Sequence, residues 1–357
     1  MSKQNRAIGV IMAGGLGERF WPMSNQKMPK YAVPLDGKTT FLEFTYKRLQ
    51  KIYMANDIWV VTSYEHKKLI QTLLPNLPKN QILTEPFRRN TAAATYYTTR
   101  FIHESIEPNA ILSFFPADAW IETDAAFAKT MRASIKASIQ KQCISVIGIK
   151  PTRPATGYGY IESGAQDTSS KSLFKVRRFC EKPELKVAKR FVKSGKFMWN
   201  AGIFTWPSAH YLDLMCKHAP EFQASVKGKV SANWMSPKMK AAFKNITKGP
   251  IDKVLIEKLN GLYVIAASIK WDDIGSWEAL KRMMGGKKGN VCSPNVVVSD
   301  SNDNIVMLNS KLKVIIHGVQ DLVVIQDGET VLITDIKSSE AIREVKHKWL
   351  NKFEAKS

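Results

Sequence analysis

From Ile8 to Ile149 short apolar runs alternate with amphipathic stretches. Ile8–Met12, Ile58–Val61, Gln81–Thr84, Ala110–Phe115 and Cys143–Ile149 are largely apolar, as strands buried on both faces require. Between them Phe41–Lys51, Glu65–Leu74, Thr91–Glu104 and Asp124–Gln140 read as helices, the second closed by Pro75 and Pro78. Such alternation predicts a parallel α/β sheet that binds its ligands at the carboxyl ends of the strands. The middle is less regular: strands are expected at Tyr158–Glu162, Leu173–Cys180, Ala201–Trp206 and Leu262–Ser268, and helices at Glu184–Lys193 and Pro207–Lys217. A glycine- and lysine-rich stretch, Gly285 to Gly289, reads as a linker between a domain of residues 1–285 and a segment 286–357. Beyond it, short apolar runs at Val296–Val298, Ile305–Leu308, Val314–Ile316, Leu322–Ile325 and Val331–Ile333 suit a small β-domain or solenoid. An amphipathic helix, Ser339–Phe353, closes the chain and is free to dock back or to pair with another chain.

The chain holds 357 residues, a length that suggests about two domains. No apolar run reaches the ~20 residues of a membrane span, and the polar start followed at once by a strand argues against a signal peptide. Cys143, Cys180, Cys216 and Cys292 are far apart with no CxxC pair, so neither a disulfide framework nor a zinc site is expected and a cytoplasmic location is the default. The net charge is +22, from 53 Lys and Arg against 31 Asp and Glu. Its lysines are spread along the chain with no arginine-rich arm, so charge alone does not argue for nucleic acid.

The richest stretch follows the first strand. Gly14, Gly15 and Gly17 allow backbone N–H groups to approach a ligand closely, and Arg19 and Lys30 add two cations beside that loop. Gly17 is followed by Glu18-Arg19, which excludes a P-loop. Phe20 stands where a dinucleotide fingerprint needs its third glycine, which argues against that site. The remaining reading is a triphosphate cradle.

Three polar clusters fall where strands should end. In Glu85–Thr91, Asn90 or Thr91 is a plausible helix N-cap. Glu85, a pure acceptor, can pair with the two adjacent donors of guanine and so select that base. Asp118 follows the fourth strand and is a natural Mg2+ ligand, and Asp118 with either Asp272 or Asp273 can share such an ion. Between these clusters Gly157, Glu181, Lys182 and Asn200 supply close backbone approach, hydroxyl partners and a cation, the inventory for a phosphorylated sugar.

Gly14-Gly15-Leu16-Gly17-Glu18-Arg19-Phe20-Trp21-Pro22 with Pro29-Lys30 resembles the signature of the sugar-nucleotide pyrophosphorylases. Glu85-Pro86, Arg89-Asn90-Thr91-Ala92 and Trp271–Trp277 are similar to motifs of the mannose-1-phosphate guanylyltransferases, in the family's order from Ile8 to Trp277. The resemblance implies a GT-A-like (Rossmann-like) nucleotidyltransferase domain with a small C-terminal β-domain, short and β-helix-like. It implies the reaction GTP + mannose 1-phosphate → GDP-mannose + pyrophosphate, with Mg2+ as cofactor. It places Gly14, Gly15, Gly17, Arg19 and Lys30 at the triphosphate, Glu85, Asn90 and Thr91 at guanosine, and Asp118 and Asp273, not Asp272, at the metal. Gly157, Glu181, Lys182 and Asn200 match its sugar-phosphate positions. Arg19, Lys30, Asp118 and Asp273 are the catalytic set.

Two departures stand out: Ala119 replaces the usual His, and Ala201 replaces a frequent Ser. The alternatives are a related enzyme with another sugar or base, and a non-catalytic GTP-binding relative. If the chain self-associates, its C-terminal region is the expected homodimer interface.

Overall fold

The computed structural model describes residues 5–34, 38–284 and 289–353. Most of the expected linker therefore lies outside the described residues. The strands are β1 Ala7–Ala13, β2 Ile58–Ser63, β3 Ile82–Glu85, β4 Ile111–Pro116, β5 Trp120–Ile121, β6 Ser145–Ile149, β7 Tyr160–Gln166, β8 Leu173–Cys180, β9 Phe197–Pro207, β10 Tyr263–Ala267, β11 Trp271–Asp272, β12 Val291–Cys292, β13 Val296–Ser299, β14 Ile305–Asn309, β15 Val314–His317, β16 Leu322–Asp327 and β17 Thr330–Asp335. The helices used below are α1 Phe41–Leu49, α2 Lys67–Leu73, α3 Thr91–Ser105, α4 Asp124–Lys141, α5 Leu185–Ser194, α6 Ser208–His218, α7 Pro220–Ala224, α8 Pro237–Asn245, α9 Ile251–Val254, α10 Trp277–Met284 and α11 Ile342–Phe353.

Two compact units are present, and neither is one continuous stretch. The first comprises the chain up to Gly14, Thr45–Ala117 and Ile121–Trp271; the second comprises Gly15–Phe44, Asp118–Trp120 and the chain from Asp272 onward.

In the first unit a nine-stranded sheet runs in the order β3-β2-β1-β4-β9-β6-β10-β8-β7, with β7 also pairing β9. Strands β1 to β4 are mutually parallel, as the alternation predicts. The sheet as a whole is mixed, however, because β9 runs antiparallel to both β4 and β6, and β7 and β8 form an antiparallel pair. Core side chains such as Ile8, Val10, Leu112, Phe114, Val146 and Phe204 are almost fully buried between the sheet and its helices. Helices α7, α8 and α9 fall in the span between Pro220 and Val254, which no hydrophobic periodicity marks. They are short, and each begins at or just after a proline.

In the second unit the turn after β1 packs on the C-terminal strands. Phe20, Trp21 and Phe41 share one core with Trp277, Val291, Ile305, Val323 and Ile342. Phe20 lies 4.6 Å from Trp277 between ring centroids, and Trp21 lies 5.5 Å from Trp349 of α11. Arg343 of α11 pairs with Glu18 at 3.0 Å. The final helix therefore docks back, one of the two outcomes its amphipathic pattern allows. The C-terminal strands stack in parallel register, β12 on β14 on β16 and β13 on β15, and β17 closes the first set as an antiparallel edge.

Candidate functional site

In the second unit the turn from Gly15 to Lys30 is shaped by one glycine in particular. Gly17 sits at φ 66°, in the left-handed region, and a Cβ there would collide with the Cβ of Lys30. Lys30 N donates to Leu16 O at 3.1 Å, which folds the segment onto itself. The Lys30 ammonium, almost wholly buried, lies over the rings of Phe20 and Phe41. It meets Asp118 Oδ2 at 2.7 Å and the backbone oxygen of Asp273 at 2.6 Å. A buried cation is tolerable only with such partners. Two of the expected catalytic residues, Lys30 and Asp118, are thus in direct contact.

The two adjacent aspartates have different employment. Asp272 is fully buried; its Oδ1 accepts from Ile274 N at 2.9 Å and its Oδ2 from Arg282 at 2.7 Å. Asp273 uses Oδ1 for Gly275 N at 3.0 Å. Between these turns Ile274 takes φ 42°, a strained conformation for a branched residue that costs ~1–3 kcal/mol. Gly275 has no Cβ where Arg19 Nη2 and Asp273 Oδ1 approach, so the guanidinium and the carboxylate share its neighbourhood. Burial pushes the Asp273 carboxyl above its ordinary pKa; Asp272 and Asp118 add to that, while Lys30 and Arg19 oppose it.

In the first unit sheet register brings a second group together. Tyr160 pairs with Cys180 on one side and with Trp199 on the other, both antiparallel. The residues one step beyond, Gly159, Glu181 and Asn200, are therefore neighbours at one end of the sheet. Asn200 N donates to Gly159 O at 2.8 Å. A Cβ on Gly159 would lie 2.6 Å from Glu181 Oε2 and 3.3 Å from Asn200 Cβ, so a side chain there would have to displace the Glu181 carboxylate. Glu181 Oε1 pairs with the exposed Lys182 at 2.9 Å, and Lys182 is itself held at φ 49°. Gly157 and Gly14 of this unit, like Gly15 of the other, face open space where a Cβ would meet nothing within 4 Å.

Glu85 ends β3 and is 6% exposed; its Oε1 is buried with no hydrogen-bond partner among the described residues. Burial raises its carboxyl to about 8, with Arg88 opposing. Asn90 caps α3: at φ 68° its Oδ1 accepts from Thr91 N at 2.8 Å. Thr91 Oγ1 in turn accepts from Ile251 N at 2.8 Å. Both therefore carry local structure. The sequence did not single out Gly159, two residues after Gly157, nor Asp252, which lies where no pattern marks an element.

The nucleotidyl transferase family model matches residues 8–286. The chain is 31% identical over 348 residues to the alginate biosynthesis protein AlgA of Pseudomonas aeruginosa, an alignment covering 95% of this chain and 71% of that one. It is 30% identical over 354 residues to a mannose-1-phosphate guanylyltransferase of Escherichia coli, covering 96% of this chain and 73% of the relative. A solved structure from Thermus thermophilus, described as a mannose-1-phosphate geranyltransferase, superposes with a TM-score of 0.85 at 26% identity, over 96% of this chain and 99% of that one. The glycine turn with its buried lysine, the paired aspartates and the family match over the same residues converge on one statement: the chain belongs to the nucleotidyl transferase family.

Proposed function

We propose that this protein transfers GMP from GTP to mannose 1-phosphate, giving GDP-mannose and pyrophosphate. The observation that carries the transfer chemistry is the second unit's cluster of Lys30, Asp118, Asp273 and Arg19, where fixed cations and carboxylates occur together. Glu85 supports the choice of base, since its unpartnered oxygen suits the adjacent N1–H and N2 donors of guanine. Gly157, Glu181, Lys182 and Asn200 take the sugar phosphate in this reading. Gly14, Gly15 and Gly17 take the triphosphate through backbone N–H groups, with Asn90 and Thr91 holding the guanosine loop.

In this mechanism a phosphate oxygen of the sugar phosphate attacks the α-phosphorus in line. A new P–O bond forms, the bond to the β-phosphate oxygen breaks, and the electron pair leaves with pyrophosphate. The attacking oxygen is already an anion, so no general base is required. Lys30 and Arg19 stabilise the departing charge, and Lys30 does so without reorganising, because its partners already hold it. Asp118 and Asp273 suit Mg2+, which takes one or two carboxylates and completes its shell with phosphate oxygens and water. One observation supports the fit: Asp273 is pushed up by burial, Asp272 and Asp118 add to that, and its carboxyl gains from a cation. Bound there, Mg2+ would neutralise charge on the α-phosphate.

The reading extends to the remainder of the protein. The parallel stacking of β12, β14 and β16, tied by Asn304 to Asn290 and to Leu322 N, supports a short β-helix. Asn304→Ala should then lower the melting temperature by several degrees, and an unchanged value counts against it. Exposed Val297, Ile315, Val331 and Ile333 support a homodimer through this region, which a mass measurement in solution would decide. The free cysteines support a cytoplasmic setting, and no described helix is long and apolar enough to cross a membrane. The principal test is pyrophosphate release with Mg2+ and a matrix of nucleotides and sugar 1-phosphates. Release confined to GTP with mannose 1-phosphate is expected; release with another pair would overturn the specificity, and none with any pair the enzyme activity.

A further inference from the structure

Asp252 stands second in α9, half-buried in the first unit. Its Oδ1 accepts from Asn200 Nδ2 at 3.0 Å, while Asn200 Oδ1 accepts from Gly202 N at 3.0 Å. The two partners are of opposite kind. A carboxylate only accepts and a backbone N–H only donates, so the Asn200 amide has a single orientation. One N–H of that amide is left over from these bonds. The backbone just before Asp252 is itself pinned, since Ile251 N donates to Thr91 Oγ1 at 2.8 Å and Ala92 N to Gly249 O at 3.2 Å. Asp252 thus rests on the start of α3 and not on a free loop.

We infer that Asp252 is a positioning residue for the sugar phosphate: it locks the Asn200 amide so that the remaining N–H is presented to a sugar hydroxyl. The inference rests on the sugar-phosphate reading of Glu181, Lys182 and Asn200. The surroundings of Asp252 agree with it. Burial raises its carboxyl to about 7, the neighbouring Glu181 charge adds to that, and Lys182 and the Asn200 bond pull it down. A carboxylate kept in a half-buried place beside another acid has a cost. Held by Asn200 on one oxygen, it returns that cost as a fixed amide. Gly159 leaves the space in which Glu181 and Asn200 come side by side, so a hydroxyl bound there meets both an acceptor and an oriented donor.

The test is steady-state kinetics on the whole protein with GTP and mannose 1-phosphate, for wild type, Asn200→Ala, Asp252→Ala, Asp252→Asn and the double alanine variant. Asp252→Ala should raise KM for the sugar phosphate ~10-fold or more and leave KM for GTP within ~2-fold, the scale of a lost charge-assisted hydrogen bond. Asp252→Asn should restore the sugar KM to within ~3-fold, because its amide oxygen still accepts. The double variant should be no worse than Asn200→Ala. If Asn200→Ala raises the sugar KM while Asp252→Ala does not, or if the two effects multiply, the inference fails and the sugar-phosphate reading stands. An unchanged sugar KM in Asn200→Ala would overturn that reading and the inference with it. If Asp252→Ala does not fold, the exchange Asn200→Asp with Asp252→Asn decides. It rebuilds the bond with donor and acceptor reversed and removes the presented N–H, so the fold should recover and the raised sugar KM persist. Full recovery of both would mark Asp252 as structural only.

Discussion

In the second unit Lys30 meets Asp118 at 2.7 Å and the Asp273 carbonyl at 2.6 Å, whereas in the first unit the Oε1 of Glu85 is buried with no hydrogen-bond partner among the described residues. The turn's buried cation, Lys30, already has its partners, although burial raises the Asp273 carboxyl beside it. The first unit keeps two carboxylates under strain, Glu85 at the end of β3 raised to about 8 and Asp252 in α9 to about 7. The difference matches the two tasks proposed for them. Every nucleoside triphosphate presents the same phosphate charges whatever its base, so a preorganised array serves them all. A base or a sugar must be told from its relatives, and an acceptor left unpaired until the right donors come penalises the wrong ligand most.

Breaking the satisfied side should have the largest effect. Lys30→Ala or Asp273→Asn is expected to lower kcat ~100-fold or more, the scale of a lost preorganised charge. Turnover near wild type in either variant would remove that cluster from the mechanism. On the unsatisfied side, Glu85→Gln should cut the preference for GTP over ITP, which lacks the N2 amine, by ~10-fold or more in kcat/KM. An unchanged ratio in the competition assay would separate Glu85 from the base. Gly17→Ala tests whether the turn is as constrained as its φ and its approach to Lys30 imply; a loss of ~2 kcal/mol by denaturant unfolding is expected. A stability equal to wild type would show that the turn yields.

The sharpest test of the contrast is a pH dependence. Glu85 has a folded pKa near 8 against 4.5 for the free side chain, so the folded protein holds the extra proton between those values. Stability therefore falls as pH rises through that window; the penalty is absent below pH 4.5 and complete above pH 8. Glu85→Gln lacks this term. Its melting temperature relative to wild type should rise between pH 5 and pH 8.5, and a constant difference would mean that the carboxyl is not strained. Guanine donors favour the carboxylate, so wild-type KM for GTP should also fall from pH 6 to pH 8 and stay flat in the variant.

Asp272 and Asp273 illustrate the limits of pattern. They are adjacent, chemically identical and ahead of the same helix, and only packing separates them: Asp272 is consumed by Ile274 N and Arg282, while Asp273 stands in the field of Lys30 and Arg19. The family resemblance preferred Asp273, and spacing alone could not. Asn90 was legible as a cap because capping is a local act, completed within one residue. Asp252 was not, because its partner Asn200 lies 52 positions away and α9 is too short to show a helical period.

The sequence by itself determined the strands of the parallel half, the glycine turn with its cations, and the polar ends where chemistry belongs. Those are local properties: apolar runs drive burial, glycines permit positive φ, and motifs are contiguous. Tertiary structure alone decided that β9 reverses direction between β4 and β6, and that Gly159 rather than Gly157 lies against Glu181 and Asn200. It alone joined the turn after β1 and the C-terminal strands in one core. Each of these depends on which distant segments come into register, and a side chain's partners and desolvation are set only when that register closes.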